Sequence, residues 1–274
     1  MAKREDSLVV AKTVEDVDKV SEGTSLELKK IASALSATPL FIGAKKGGVE
    51  MEEGVVYEKM GVKALAPGTF KEAVKGEGPY IYSKVGRYYV KIDGEKLREV
   101  RVSRRLSLGD LARMVGVSRK AIYEYERGAM DATLEVAARI QEVLDYPLAS
   151  PINLLTPQPE EGEGVEEDYE ANSLVKEVLF KFKRLGFEAF PFKKAPFNII
   201  ARSCRNRMLI RVSERLDKRT ERSLVVVRSM ADVSDSLSLT IVKEEAKVEE
   251  QGLLKYKDFK KVRSEPELVR IIGS

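Results

Sequence analysis

The sequence predicts a multidomain protein of the α+β and α/β classes, in which a central all-α module lies between two small α/β domains. The chain has 274 residues, enough for two or more domains at about 150 residues each. Strand-like and helix-like runs alternate before residue 79 and after residue 171, whereas the pattern between them is mostly helical. A run at 157–170 contains seven acids and no base, which is typical of an extended linker. We therefore expect segments at 1–78, 79–92, 93–156, 157–171 and 172–274.

The composition excludes several classes of site. The chain has no histidine and a single cysteine, Cys204, so a Ser-His-Asp triad, a zinc site with histidine ligands and an internal disulfide cannot form. No apolar run approaches the roughly 18 residues that a membrane helix needs, and residues 1–11 lack the apolar core of a signal peptide. We expect a cytoplasmic protein with no membrane partner, no cofactor, no metal site and little covalent chemistry.

The N-terminal segment, 1–78, has the pattern of a partly parallel sheet covered by helices. Residues 8–13 and 40–44 are predicted strands, and residues 25–37 form an amphipathic helix between them with Ser25 as its N-cap. Short strands at 55–57 and 63–66 and a helix at 69–74 complete the segment.

The C-terminal segment repeats this pattern. We predict a helix at 172–185, strands at 187–192, 197–202 and 208–213, a helix at 221–233, strands at 237–242 and 253–256, and a last helix at 266–272. MLIRVSE at 208–214 aligns with LVVAKTV at 8–14, and later elements then fall into rough register. This suggests a weak internal duplication, although any two α/β units share such features.

The central segment contains a helix-turn-helix pattern at 107–128, SLGDLARMVGVSRKAIYEYERG. Ser107 and Asp110 are predicted to cap its first helix, and Ser118 its second. Gly116 fits the turn between them, where a positive φ is favourable without a Cβ. The second helix is expected to bury Ala121, Ile122 and Tyr125. A preceding helix containing Leu97, Val100 and Leu106 and a following one from 134 to 144 make a module of four or five helices.

These residues resemble the Cro/lambda-repressor-type (XRE) helix-turn-helix family over residues 96–146, through LARMVGVS, Ile122 and the YERG that ends at Gly128. The resemblance implies that the second helix enters the major groove of DNA with its first residues at base edges. Many members have a glutamine that meets the DNA backbone where this chain has Leu108, so Ser107, Arg104 or Arg105 is expected to supply that contact. The expected DNA-binding residues are Arg104, Arg105, Ser107, Ser118, Arg119, Lys120, Tyr123, Glu124 and Arg127. Of these, Arg119, Lys120 and Glu124 are expected at bases, and Ser118 and Tyr123 near phosphates.

A β-hairpin is predicted at 80–92, YIYSKVGRYYVKI, with its turn at Val85 and Gly86. The stretch contains no acid. Two interpretations remain open: Lys84 and Arg87 contact phosphates as a wing-like arm, or Tyr80, Tyr82, Tyr88 and Val90 pack on the neighbouring domain.

The element order at 172–242 resembles the PD-(D/E)XK nuclease core, which holds magnesium with an aspartate on one strand and a (D/E)-x-K on the next. In this chain Asn198, Arg211 and Ser213 occupy those positions, and the N-terminal copy offers only Ala11 and Thr13. Such side chains cannot supply the negative charge that magnesium needs. We expect both α/β domains to be degenerate, restriction-endonuclease-like scaffolds without catalytic residues.

The whole layout resembles an archaeal family of HTH-type transcriptional regulators. The resemblance implies a sequence-specific regulator that binds double-stranded DNA, is not an enzyme, and places the helix that follows Ser118 in the major groove. We expect a homodimer that binds two half-sites. The alternatives are a protein–protein adaptor or antitoxin-like bridge and a residual nuclease; the sequence does not identify a small-molecule effector.

Overall fold

A computed structural model describes residues 1–4, 7–154, 172–244 and 251–273. The strands are β1 (Ala2–Arg4), β2 (Ser7–Asp16), β3 (Thr38–Lys46), β4 (Val49–Glu50), β5 (Val55–Lys59), β6 (Val62–Leu65), β7 (Ile81–Lys84), β8 (Arg87–Val90), β9 (Ala132–Thr133), β10 (Glu188–Pro191), β11 (Ile199–Arg202), β12 (Arg207–Ser213), β13 (Leu237–Val242) and β14 (Leu253–Lys255). The helices are α1 (Glu22–Ala34), α2 (Pro67–Lys75), α3 (Gly94–Ser103), α4 (Leu108–Val115), α5 (Arg119–Glu126), α6 (Leu134–Leu144), α7 (Ser173–Arg184), α8 (Lys218–Val233), α9 (Tyr256–Phe259) and α10 (Glu265–Gly273), with a 3₁₀ turn at Val17–Lys19.

The chain forms two compact units, each assembled from separate stretches of sequence. The described residues of the first unit fall in Met1–Val10, Gly23–Thr38 and the ranges 172–244 and 251–273. Those of the second fall in Ala11–Glu22 and in 39–154. Helix α1 therefore belongs to the same unit as the C-terminal elements. The domain boundaries given above stay predictions, and the acidic segment 157–171 lies outside the described residues.

The first unit contains a five-stranded sheet in the order β10-β11-β12-β13-β14. The strands β10, β11 and β12 are antiparallel, whereas β12 and β13 run parallel with Ile210 opposite Leu239. Helices α7, α9 and α10 share one apolar core with this sheet, which includes the buried Phe182, Phe259 and Leu268. The predicted order of helix, three strands, helix and strand is confirmed from α7 to β13.

In the second unit, a single sheet runs from the α/β elements into the helical module. Within this unit the strand order is β2-β3-β6-β5-β7-β8-β9, and β4 pairs with β3. Strands β5 and β7 pair in parallel, with Val55 opposite Ile81, and β8 pairs antiparallel with β9, with Tyr89 opposite Thr133. The predicted hairpin at 80–92 is confirmed as β7 and β8. It therefore joins the α/β elements to the helical module through backbone hydrogen bonds.

The helical module consists of α3, α4, α5 and α6 around one apolar core. Leu97, Leu111, Ile122 and Ile140 are completely buried in it. The hairpin contributes Val90, and the following Ile92 is buried in the same core. The predicted module of four or five helices is confirmed with four, and with one change. Leu106 packs against the core but follows the end of α3 at Ser103, so it lies in the connection to α4 rather than in the preceding helix.

The prediction of Ser25 as an N-cap is wrong. Helix α1 begins at Glu22, so Ser25 lies within the helix and is buried. Its hydroxyl has no hydrogen-bond partner among the described residues. The helix begins earlier because Glu22, Gly23 and Thr24 add nearly a turn before the first apolar position, and an acid in the first turn is favourable there. Over the part of the chain that the structure describes, no helix combines the length and apolarity needed to cross a bilayer.

Candidate nucleic-acid interface

Helix α4 begins with a complete capping box, as predicted. The Ser107 hydroxyl oxygen accepts the Asp110 N–H at 3.1 Å, and the Asp110 carboxylate accepts the Ser107 N–H at 3.1 Å. The Ser107 hydroxyl donates to the same carboxylate at 2.6 Å, and this hydrogen bond holds the pKa of Asp110 below its usual range. At the other end of α4, Gly116 has a φ of 78° and donates to the carbonyl of Ala112 at 2.9 Å. The predicted cap and turn are both confirmed.

Helix α5 has one buried face and one exposed face. The Ser118 hydroxyl oxygen accepts the Ala121 N–H at 3.1 Å and begins the helix, as predicted. Ile122 and Tyr125 are buried in the module core. Arg119 and Lys120 are exposed, and among the described residues neither has an ion-pair partner. The first turn of α5 therefore presents two cations to solvent.

The exposed face continues to the end of the helix. The side chain of Tyr123 is 46% exposed, and the Arg127 guanidinium lies 5.4 Å from the centroid of its ring. That distance is within the range of a cation–π contact. Glu124 is half-buried. Arg104 and Arg105 are exposed in the connection between α3 and α4. The contact of these side chains with DNA stays a prediction.

Ser107 differs from the other predicted contact residues because its hydroxyl is already engaged. A hydroxyl has one hydrogen to donate, and that hydrogen goes to Asp110. A phosphate contact through this hydroxyl would require the capping box to open next to an ionised carboxylate. The Ser118 hydroxyl, by contrast, only accepts a hydrogen bond among the described residues, so its hydrogen can point outward.

A buried ion pair that sequence reasoning missed fixes the C-terminal end of α5. Arg101 Nε donates to Glu126 Oε1 at 2.5 Å, and Arg101 Nη2 donates to Oε2 at 3.0 Å. The third nitrogen, Nη1, donates to the carbonyl of Leu106 at 2.8 Å. The hydrogen bond to Glu126 raises the pKa of Arg101. Arg101 follows the buried Leu97 by four residues, which puts both on the same face of α3; this spacing was the available signal.

A glycine allows α3 to approach the end of α5. A Cβ on Gly94 would lie 2.5 Å from the carbonyl oxygens of both Tyr125 and Glu126. Real Cβ atoms do not approach backbone oxygen so closely, so only glycine fits without a shift. Gly94 and the Arg101–Glu126 pair together set the position of α5 against the rest of the module.

The positions that would hold magnesium in the C-terminal nuclease-like core do not fit a metal. The Asn198 amide oxygen accepts the Val212 N–H at 2.8 Å. The Arg211 guanidinium donates to the carbonyl of Pro196 at 3.5 Å, and the Ser213 hydroxyl donates to the carbonyl of Arg215 at 2.9 Å. These side chains bring a positive charge and no carboxylate, so a divalent cation would be repelled.

In the N-terminal region, two carboxylates near the end of β2 are engaged by the protein itself. Asp16 accepts the N–H groups of Gly47 at 3.0 Å and Gly48 at 2.9 Å. Asp18 binds Lys59 at 3.1 Å and Lys46 at 3.2 Å. Across the described ranges, no group of three or more histidine, cysteine, aspartate or glutamate side chains is arranged to hold a metal ion.

Comparison with known proteins gives matches to two family models. A model of the PD-(D/E)XK superfamily domain matches residues 1–79, and a helix-turn-helix model matches residues 97–150. A solved chain described as a SinR protein/SinI protein complex is 18% identical, covers 35% of this chain and 84% of that one, and has a TM-score of 0.19, too low to support an inference.

Full-length relatives are more informative. A protein of Methanocaldococcus jannaschii is 35% identical over 100% of this chain and 87% of its own length. A Pyrococcus horikoshii protein is 35% identical over 99% of this chain and 87% of its own length. A Pyrococcus abyssi protein is 34% identical over 100% of this chain and 87% of its own length. Each is named "Putative HTH-type transcriptional regulatory protein". The chain therefore belongs to this archaeal family of HTH-type transcriptional regulatory proteins.

Proposed function

We propose that the protein is a sequence-specific transcriptional regulator that binds double-stranded DNA by inserting α5, capped by Ser118, into the major groove. One observation carries the proposal: the Arg119 and Lys120 side chains are exposed on a helix whose opposite face is buried. A helix presented in this way fits a groove about 12 Å wide, and two cations at its first turn face the negative charge of the duplex.

The side chains divide into two roles. Arg119 and Lys120 donate to guanine O6 and N7, and Glu124 accepts from cytosine N4. Ser118, Tyr123 and Arg127 contact phosphates beside the groove, where they fix the register of the helix without reading sequence. Arg104 and Arg105 supply the backbone contact that a glutamine makes in many family members, with Ser107 adding to it only when its capping box opens.

The test is selection of bound sequences from a random duplex pool with the full-length protein, followed by affinity measurements on the enriched motif. Arg119→Ala and Lys120→Ala should each cost about 1–3 kcal/mol, or roughly 5- to 150-fold in affinity. Lys71→Ala, which removes an exposed cation from α2, is the matched control and should change affinity less than about twofold.

The same titration separates DNA binding from a protein–protein adaptor or antitoxin-like bridge. A protein that neutralises several phosphates loses affinity steeply as salt rises, and it keeps its preference among sequences. Enrichment of no motif, together with a shallow salt dependence, would reject the proposal in favour of the adaptor.

We also propose a homodimer, because one helix-turn-helix module contacts few base pairs. Two-fold proteins of this kind bind half-sites about 34 Å apart. Light scattering on the protein with a duplex containing the enriched motif should give two chains per duplex. One chain per duplex at saturating protein would refute the dimer.

A nuclease is the second candidate, because the PD-(D/E)XK model matches the first 79 residues. The cation at Arg211 and the engaged carboxylates of Asp16 and Asp18 argue against metal-dependent cleavage. We expect no cleavage of duplex or branched DNA with magnesium or manganese present. Cleavage that disappears with chelator would overturn this part of the proposal.

A further inference from the structure

The tip of the β7–β8 hairpin combines a strained backbone, an exposed apolar side chain and two like charges. Val85 has a φ of 50° and its side chain is 94% exposed. Its neighbour Gly86 has a φ of 71°, so both central residues of the turn have positive φ. Such two-residue turns favour Asn-Gly, because a β-branched residue is strained in the left-handed region. Here the strained residue also gains no burial.

The two residues that flank this turn have the same charge. Lys84 and Arg87 are directly opposite each other in the antiparallel register, and both are exposed. Like charges in this position repel each other. Residues 79–92 contain no acid, and among the described residues neither cation has an ion-pair partner. The charge of the tip is therefore not neutralised within the described structure.

The base of the hairpin, by contrast, is well anchored. Tyr82 stacks on Tyr89 with ring centroids 5.6 Å apart, and its hydroxyl donates to Asp131 at 2.8 Å. Tyr89 lies opposite Thr133, and Val90 is buried in the helical core. Tyr80 is 48% exposed, so the packing interpretation of this stretch holds only in part. Asp131 and Thr133 belong to the connection between α5 and α6, so the hairpin is held beside the segment that directly follows α5.

We propose that this tip is a second DNA-contacting element, in which Lys84 and Arg87 bind phosphates of the backbone that flanks the groove occupied by α5, and Val85 packs against the adjoining sugar. The proposal rests on the proposed function. Strain and repulsion that persist at an exposed site indicate a functional constraint, and a polyanion relieves the repulsion on binding. At about 3.3 Å per residue, the turn extends roughly 7–10 Å beyond the anchored row of Tyr82 and Tyr89.

The test compares the full-length protein with Lys84→Gln/Arg87→Gln on the selected duplex, across a range of salt concentrations. Loss of two phosphate contacts should reduce the magnitude of the log–log salt slope by about 1.8, since each contact contributes about 0.9. The preferred sequence should not change, because phosphate contacts carry no base information. The matched control, Lys71→Gln, should leave the slope unchanged.

Folding provides an independent readout. The double variant removes a like-charge pair, so its melting temperature should stay the same or rise while DNA binding weakens. Val85→Asn converts the turn to Asn-Gly and should also raise the melting temperature, with a few-fold loss in affinity and an unchanged salt slope. Opposite changes in stability and binding would not arise from a hairpin that only supports the fold.

The outcomes distinguish this proposal from the one on which it rests. If the salt slope of Lys84→Gln/Arg87→Gln is unchanged while Arg119→Ala still binds DNA more weakly, the hairpin contact is overturned and the proposed DNA contact by α5 is not. Failure of the unmodified protein to bind any duplex overturns both.

Discussion

The buried pair between Arg101 and Glu126 allows a quantitative prediction for α5. Replacing Glu126 with leucine removes both acceptors of the carboxylate, at 2.5 and 3.0 Å from the guanidinium. Among the described residues, Arg101 then keeps only its hydrogen bond to the carbonyl of Leu106. The two side chains are just 11% and 7% exposed, so water cannot readily replace the lost partner. Breaking such a pair from one side costs about 3–5 kcal/mol.

An exposed ion pair on α3, the helix that carries Arg101, provides the comparison. Lys96 and Glu99 lie 2.8 Å apart, but their side chains are 42% and 66% exposed. Because solvent screens this pair, Glu99→Ala should cost at most about 1 kcal/mol. The difference between the two substitutions comes from burial, since both remove a close contact with a cation.

Hydrogen exchange on the intact chain suits this comparison, because the protein contains no tryptophan for fluorescence and is divided into two compact units. Exchange of the α5 amides in Glu126→Leu should accelerate by roughly two to three and a half orders of magnitude, at 1.4 kcal/mol per tenfold. Arg101→Met combined with Glu126→Leu should recover most of the loss. If Glu126→Leu accelerates exchange no more than Glu99→Ala does, the pair does not hold α5 and our reasoning about its burial is wrong.

Two further predictions concern the second unit. Gly94→Ala should destabilise it by about 1–3 kcal/mol, because the new Cβ meets two backbone carbonyls at 2.5 Å; Gly109→Ala, whose nearest neighbour is 3.6 Å away at Ser107 Oγ, should be neutral or stabilising in calorimetry. A larger loss for Gly109→Ala would contradict this. The hydrogen bond from Lys59, with help from Lys46, keeps the pKa of Asp18 below its usual range. The unfolded chain therefore binds this proton at higher pH than the folded one, so the contribution of Asp18 is complete above about pH 4 and is lost as pH falls through its folded pKa. Asp18→Asn should lower the melting temperature at neutral pH and reduce the fall of the melting temperature between neutral and acid pH. If that fall is the same as in the unmodified protein, the ion pairs of Asp18 with Lys59 and Lys46 do not contribute to stability.

The helix-turn-helix region could be predicted closely because its signals are local. The Ser107–Asp110 box spans four residues, and the positive φ of Gly116 depends only on the absence of a Cβ. The Ser118 cap and the buried Ile122 likewise lie within one or two turns of the exposed cations at the start of α5. Signals of this kind depend on residues that are close together in the sequence, so they can be recognised from the sequence alone. The same holds for the hairpin turn, although Val-Gly is a poor signal for it.

The features that escaped prediction depend on residues far apart in sequence. Arg101 and Glu126 are 25 positions apart, and Gly94 meets residues more than 30 positions later. Nothing in the local pattern pairs β5 with β7 or places α1 in the same unit as the C-terminal sheet. Strands β4 and β9 have two residues each, too few for a periodicity to be recognised. The start of α1 was predicted at the wrong residue because a serine before an apolar run is also tolerated inside a helix, as Ser25 is here.

The continuous sheet of the second unit determines where a fragment that contains the helix-turn-helix can begin and end. A fragment that starts at Asp93 would retain all four helices but lose Val90 and Ile92 from their core. It would also leave β9 without its partner β8 and deprive Ala149 and Ser150 of their pairing with residues 91–92. Unpaired backbone of this kind promotes aggregation. A fragment intended for binding studies should therefore begin before Tyr80 and extend past Ile152, whose N–H donates to the carbonyl of Pro79 at 2.8 Å.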